Sequence, residues 1–393
     1  MNGRIRRRSL EWVIPAWLVL SVAAHAQQAA PGAGAPVLER LQRANLIDDY
    51  YPDAVREVAV SLVQAAPGQW RGVRVNEPHR GGWLNIYVVD ADRLDDDEPL
   101  EVGDIELTPE ALAGGALADE GTGTVYVNTA AWKRMAAASM LKQAGAVGDI
   151  TAGLAAVDAY GLQATRRYWD RSTLDADTSE TRITGMLLRG ALAFVLAHEM
   201  GHLQIGRSAA ADAAELRMRD VGNLTERQKD ERLACPETLY AEYQQRQRHE
   251  QAADMAAVRL LGQQCRIGED GELRHQIYVL GTSWYFTVAI ADKLLQMGRS
   301  SDSPFIAQNL RNLIGAKLYE QAVANAAESR RTGGVKAAFP KTHPPDYARA
   351  EAIERAFQST PCGGSDLDLS GMQMMELYRQ AMCSRLTGRQ AGQ

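Results

Sequence analysis

The chain is predicted to be α+β and mainly helical, with a small sheet beside one long buried helix. Three features of its 393 residues carry that expectation. The run Ile183 to Ile205 places Leu187, Leu188, Ala191, Leu192, Phe194, Val195 and Leu196 so that almost no polar face remains, and a helix apolar all round is a buried one. Glu237 to Gln264 has the length and spacing of a second long helix. Strand-like residues are confined to short stretches before residue 130.

At the N-terminus, Arg4, Arg6, Arg7 and Arg8 precede a short apolar run from Trp12 to Ala24, and Ala24-His25-Ala26 is a small-x-small cleavage pattern. Residues 1–26 are therefore expected to be a signal peptide, too short in its apolar run for a comfortable span. The expected address is periplasmic or secreted. Residues 27–37 read as a small-residue linker, 38–358 as one domain, and 359–393 as a helical tail containing cysteine. Leu38 to Gln64 is helical, with Tyr50-Tyr51-Pro52-Asp53 as a break or helix start. Val73, Val75 and Leu84-Asn85-Ile86-Tyr87-Val88-Val89 are strand-like, separated by the turn signal Gly81-Gly82. Asp92 to Glu98 is an acidic surface loop.

Thr124-Val125-Tyr126-Val127-Asn128 reads as a strand passing directly into a helix at Thr129-Ala130-Ala131-Trp132. It is either an ordinary core strand or an edge on which an extended peptide could add by β-pairing. Residues 145–182 read as a helical insertion, and Arg207 to Leu233 as a charged, solvated excursion. Ile277 to Ile290 is uncharged, about the length of a core helix and short for a span; peripheral contact with the envelope is its alternative. Phe305 to Glu328 is helical, Thr342-His343-Pro344-Pro345 is a loop, and a helix follows through Arg355. The formal charge of -6 gives no reason to expect nucleic acid as a partner.

Cys235, Cys265, Cys362 and Cys383 suit an oxidising address as up to two disulfides. A continuous helix over 237–262 would hold Cys235 and Cys265 too far apart to bond. Cys362–Cys383 is the preferred pair.

The chemistry centres on His198-Glu199-Met200-Gly201-His202, set inside the apolar run. Two histidines four apart on a helix project from one face, a spacing that suits two ligands of one tetrahedral Zn²⁺. Glu199 lies between them, placed to act on water without being a ligand. Burying two histidines and a glutamate without such a role would be costly. A third protein ligand is then needed. A metzincin would have Gly at 205 and His at 208, where this chain has Ile205 and Ser208. The candidate is Glu250 on the second long helix, with Asp254 one turn farther on the same face to accept a hydrogen bond from a ligand histidine. His249 points about 100° away and reads as a surface residue or a neighbour of a ligand.

HEMGH at 198–202, EQAAD at 250–254 and THPPDYAR at 342–349 together resemble metallopeptidase family 48, which includes the CAAX prenyl protease and periplasmic quality-control proteases. The resemblance covers scattered blocks over roughly residues 120–355, including TVYVNTAAW at 124–132. It implies a gluzincin-type fold, one zinc on His198, His202 and Glu250, and Glu199 as base. It also implies that His343 and Arg349 lie near the site, His343 as donor to the oxyanion. The chain lacks the several membrane spans usual in that family, which points to its soluble periplasmic branch. The expected activity is metalloendopeptidase action on a polypeptide substrate, in envelope quality control. The alternatives are a catalytically silent binding or chaperone-like module of the same fold, and a zinc hydrolase of a non-peptide substrate.

Overall fold

The computed structural model describes residues 34–49, 51–94, 99–103, 105–109, 111–112, 114–141, 147–160, 179–206, 243–300, 304–332 and 346–363. The expected signal peptide, the charged excursion from Arg207, the His343 loop, Cys235 and Cys383 lie outside these residues. Within them the chain is mainly helical with a small mixed sheet.

The sheet has the order β1-β2-β6-β5, built from β1 (Val73–Val75), β2 (Leu84–Val89), β5 (Ala116–Asp119) and β6 (Thr124–Asn128). A two-stranded hairpin of β3 (Leu100–Val102) and β4 (Ile105–Leu107) stands apart from it. β1 and β6 run parallel to β2, and β5 runs antiparallel to β6. β2 and β6 are buried at every position, which is why their sequences read as continuous apolar runs without alternation. Leu84, Ile86, Val88, Val125 and Val127 face the main helical core. Tyr87, Val89 and Tyr126 face a smaller core shared with Leu38, Leu41 and Leu46. Asn85 is the polar exception within β2, as Thr124 and Asn128 are at the ends of β6, and it bonds the backbone of Arg80 and Trp83.

Thr124–Asn128, expected as a core strand or an edge, is an inner strand between β2 and β5. The edge on that side is β5, whose Ala-Leu-Ala-Asp sequence has neither β-branched residues nor clear alternation to announce it. β6 runs straight into α3 (Thr129–Leu141), capped where the Asn128 side chain accepts from the Ala130 N–H.

Helix α1 (Gly34–Arg43) begins inside the segment expected as linker, because Val37, Leu38 and Leu41 supply one wall of the smaller core. Helix α2 (Pro52–Ala65) starts at the Tyr-Pro break, with proline where its missing N–H costs nothing. Helix α4 (Val147–Tyr160) falls in the stretch expected as a helical insertion, and its Ile150, Leu154, Ala155 and Val157 are buried in the main core. A Cβ at Gly153 would overlap the Ala138 backbone, so α4 lies directly against α3.

The main core is organised around α5 (Ser179–Ile205), which packs against α6 (Tyr243–Gln263) and α7 (Gly271–Ser300). Among the described residues, Arg182–Ile205 is the one helix long and apolar enough to cross a membrane, and most of it is buried inside the protein. The uncharged run Ile277–Ile290 lies within α7, with Tyr278, Trp284, Phe286, Val288 and Ile290 buried. It is a core helix. α8 (Pro304–Ile314) and α9 (Ala316–Thr332) are divided by Gly315 at φ 89°, so the segment expected as one helix is two. α10 (Asp346–Gln358) follows.

α5 and α7 meet at Gly190 and Gly281, where a Cβ on either residue would overlap the other helix's backbone. Gly281→Val is expected to lower stability by about 1–3 kcal/mol through overpacking. Chemical denaturation measures it, and an unchanged midpoint would show that this crossing yields easily.

Cys265 forms a disulfide with Cys362, with Cα atoms 6.2 Å apart. This overturns the Cys362–Cys383 pairing. The reason is that α10 packs on α6, and Thr360 then lies so close to Gly262 that a Cβ there would meet its side chain at 2.7 Å. That contact brings Cys362 back to Cys265. His275 ties the same corner, with Nδ1 3.1 Å from the Leu261 carbonyl and Nε2 3.4 Å from that of Gly363.

Candidate metal centre

Two helices supply the site, and a glycine sets their spacing. A Cβ at Gly201 would lie 2.9 Å from the Ala253 carbonyl oxygen and 3.1 Å from the Ala256 Cβ. The small residues at 201, 253 and 256 thus let α5 approach α6 closely where each carries its polar residues.

His198 and His202 project from α5 one turn apart, with ring planes at 86°. Their Nε2 atoms are 3.1 Å apart. Glu250 on α6 brings Oε2 to 3.3 Å from His198 Nε2 and 3.7 Å from His202 Nε2. All three residues are buried. Donors about 2.0–2.1 Å from a tetrahedral ion stand about 3.3 Å from one another, so this triangle has the size that an ion needs. The donor set could hold a metal, and two imidazoles with one carboxylate are chemistry that fits zinc.

The remaining ring nitrogen of His198 is held by Asp254, with Nδ1 2.9 Å from Oδ1. Asp254 in turn accepts two bonds from Arg349, Nη2 to Oδ1 at 2.7 Å and Nε to Oδ2 at 2.9 Å. This two-pronged pairing is the strong geometry for guanidinium and carboxylate. Asp254 and Arg349 are 1% and 3% exposed, so the ion pair is sealed from water. The Arg349 guanidinium also lies 5.8 Å from the centre of the Phe286 ring. Burial would raise the Asp254 pKa, but Arg349's charge and bonds, with those of His198, hold it well below the usual carboxylate range. Burial disfavours charge on His198 too, yet its bonds to Asp254 and Glu250 outweigh that and push its pKa up to about 10. The surroundings favour a cation at His198, whether a proton or a metal. Asp254→Asn is expected to weaken metal binding at this donor set by about 10–100-fold, the usual loss when a ligand's orienting partner is removed. Competitive chelator titration reads this, and wild-type affinity would make Asp254 purely structural.

Glu199 points elsewhere. Its Oε2 accepts a 2.7 Å bond from the Ala118 N–H on the edge strand β5. The Asn128 N–H bonds the Gly115 carbonyl across the ladder, so alternate residues Ala116 and Ala118 turn their backbone groups away from β6. A narrow cavity beside His198 and Glu199 is lined by Ala116, Phe194, Val195, Tyr285 and Arg349.

The structure therefore brings together His198, Glu199, His202, Glu250, Asp254 and Arg349, drawn from α5, α6 and α10. His343 lies outside the described residues. His249, set aside as a ligand, stands with Nε2 3.1 Å from His202 Nδ1 and half-stacked on that ring. Glu120, which the sequence reading passed over, is also at hand, with Oε1 3.4 Å from His249 Nε2. Asp119 accepts the N–H groups of Gly121 and Thr122, folding the turn that presents Glu120. That Asp-Glu-Gly-Thr-Gly turn was the available signal.

The chain matches no protein-family model, no curated protein and no solved structure. The functional reading rests on the geometry and chemistry of the site.

Proposed function

We propose that the chain is a zinc-dependent metalloendopeptidase of gluzincin type that hydrolyses polypeptide in the cell envelope, in keeping with its resemblance to metallopeptidase family 48. The observation that carries this reading is the set of donor atoms on His198, His202 and Glu250, 3.1–3.7 Å apart. Glu199 stands beside that set and outside it. When bound, zinc supplies Lewis-acid activation of water and of a carbonyl. The residues supply the rest. Asp254 and Arg349 fix the ring of His198. Glu199 takes the proton of the attacking water and delivers it to the leaving amine, its carboxylate aimed by the Ala118 N–H. The outward backbone groups of Ala116 and the outward carbonyl of Ala118, whose N–H is given to Glu199, favour an extended peptide over other substrates, since such a chain can pair along a strand edge. His343 keeps its proposed role as donor to the oxyanion.

The test is cleavage of unfolded envelope polypeptides by the mature protein, assayed after chelation and again after zinc is restored. The proposal expects loss and recovery of cleavage. Binding of the polypeptide without cleavage in the zinc-loaded protein would favour the silent chaperone-like module instead.

A further inference from the structure

We propose that Glu120, His202 and His249 form a second, weaker site for a divalent transition-metal ion, sharing the His202 ring with the first. The inference goes beyond the proteolytic reading and needs no hydrolytic activity.

It begins with the two nitrogens of one ring. His202 Nε2 belongs to the donor triangle with His198 and Glu250. Its Nδ1 faces the opposite way, into a second triangle. His249 Nε2 is 3.1 Å from His202 Nδ1 and 3.4 Å from Glu120 Oε1, and the third side, Nδ1 to Oε1, is 3.8 Å. These edges bracket the separation of about 3.3 Å between donors on a tetrahedral ion. The donor types repeat those of the first site: two imidazoles and a carboxylate, a set that divalent zinc, cobalt or nickel accepts.

A hydrogen can lie between His249 Nε2 and Glu120 Oε1 when His202 Nδ1 carries none, but with His202 Nε2 on a metal the hydrogens no longer satisfy this group. A neutral His202 that uses Nε2 as a ligand has one hydrogen, on Nδ1, and that hydrogen can serve only one of the two acceptors in front of it. If it serves His249 Nε2, then that nitrogen and Glu120 Oε1 face each other at 3.4 Å with no hydrogen between them. The second oxygen of Glu120 is buried and, among the described residues, has no hydrogen-bond partner. A cation at the centre would satisfy all three atoms at once.

Access differs between the two sites. The side chains of His198 and Glu250 are 4% and 7% exposed, whereas His249 and Glu120 are 12% and 14% exposed. The second site lies at the rim and is open to exchange with solvent. Filling it beside an occupied first site requires the Nδ1 hydrogen of His202 to leave as a proton to solvent, so that the ring bridges two ions. That requirement, together with repulsion between the two cations, makes the second ion the weaker one.

The test is a zinc titration of the full mature protein from equimolar to millimolar metal, read as bound ions per chain. The wild type should take up one ion tightly and a second at higher zinc. His249→Ala and Glu120→Gln should each lose the second ion and keep the first. His198→Ala should lose the tight ion and keep the rim ion, while His202→Ala should lose both. Circular dichroism establishes folding for each variant, and a glutamine at the same position replaces any alanine variant that fails to fold. A wild type that stops at one ion in millimolar zinc overturns the second site and leaves the one-metal hydrolase standing. A wild type that binds none removes both. If His249→Ala still takes up two ions, the ligands are elsewhere. If it only weakens the first ion in a protein that never binds a second, then His249 and Glu120 merely orient His202.

Discussion

Glu199→Gln should keep its zinc and its fold while losing roughly 10²–10⁴ in catalytic rate, the contribution of a positioned general base. The structure separates these readouts. Glu199 is not one of the three clustered donors, so metal affinity has no reason to fall. Its Oε2 accepts from the Ala118 N–H at 2.7 Å, and a glutamine oxygen can accept the same bond, so the β5 edge keeps its place. Only the ability to take and return a proton is lost. At about 1.4 kcal/mol per tenfold, the rate loss corresponds to about 3–6 kcal/mol of transition-state stabilisation. The pair of measurements is metal content and turnover on an unfolded polypeptide. Wild-type turnover by the zinc-loaded variant would remove Glu199 from the chemistry.

Arg349→Met should have the largest effect on stability, about 3–5 kcal/mol, because it strands a buried charge. Asp254 and Arg349 are 1% and 3% exposed, so water cannot replace the two guanidinium bonds at 2.7 and 2.9 Å. The stranded carboxylate would either stay charged without its main partner or take up a proton and loosen its hold on His198. Either course links folding to the metal site. Adding Asp254→Asn to Arg349→Met should recover much of the lost stability, since the uncompensated charge is then gone. Urea unfolding of the two variants tests this. A loss from Arg349→Met no larger than the roughly 1 kcal/mol of an exposed pair would mean that Asp254 finds another partner.

What could be read from the sequence was what a single helix encodes. His198, Glu199 and His202 are neighbours on one turn, and Glu250 and Asp254 on another, so helical periodicity places each set before any tertiary contact is known. The long buried helices were legible for the same reason. Arg349 became a candidate only through the resemblance, because its partner is 95 residues away. The edge strand β5 was missed because Ala116, Leu117 and Ala118 have no strand signature, and the strand exists through pairing with β6. The pairing of Cys265 with Cys362 depends on how α10 lies across α6, which spacing along the chain does not convey. Glu120 and His249 meet His202 from a turn and a helix that only the tertiary fold unites. That α4 would be helical was legible, but its burial against α3 was not, because its Ala-rich sequence does not say which face packs.

The central claim is that one ion is held across two helices by His198, His202 and Glu250. Zinc affinity of the protein at stoichiometric metal, wild type beside Glu250→Ala, tests it most directly. The geometry predicts one tightly bound ion in the wild type and its loss in the folded variant. Undiminished zinc affinity in Glu250→Ala would contradict it.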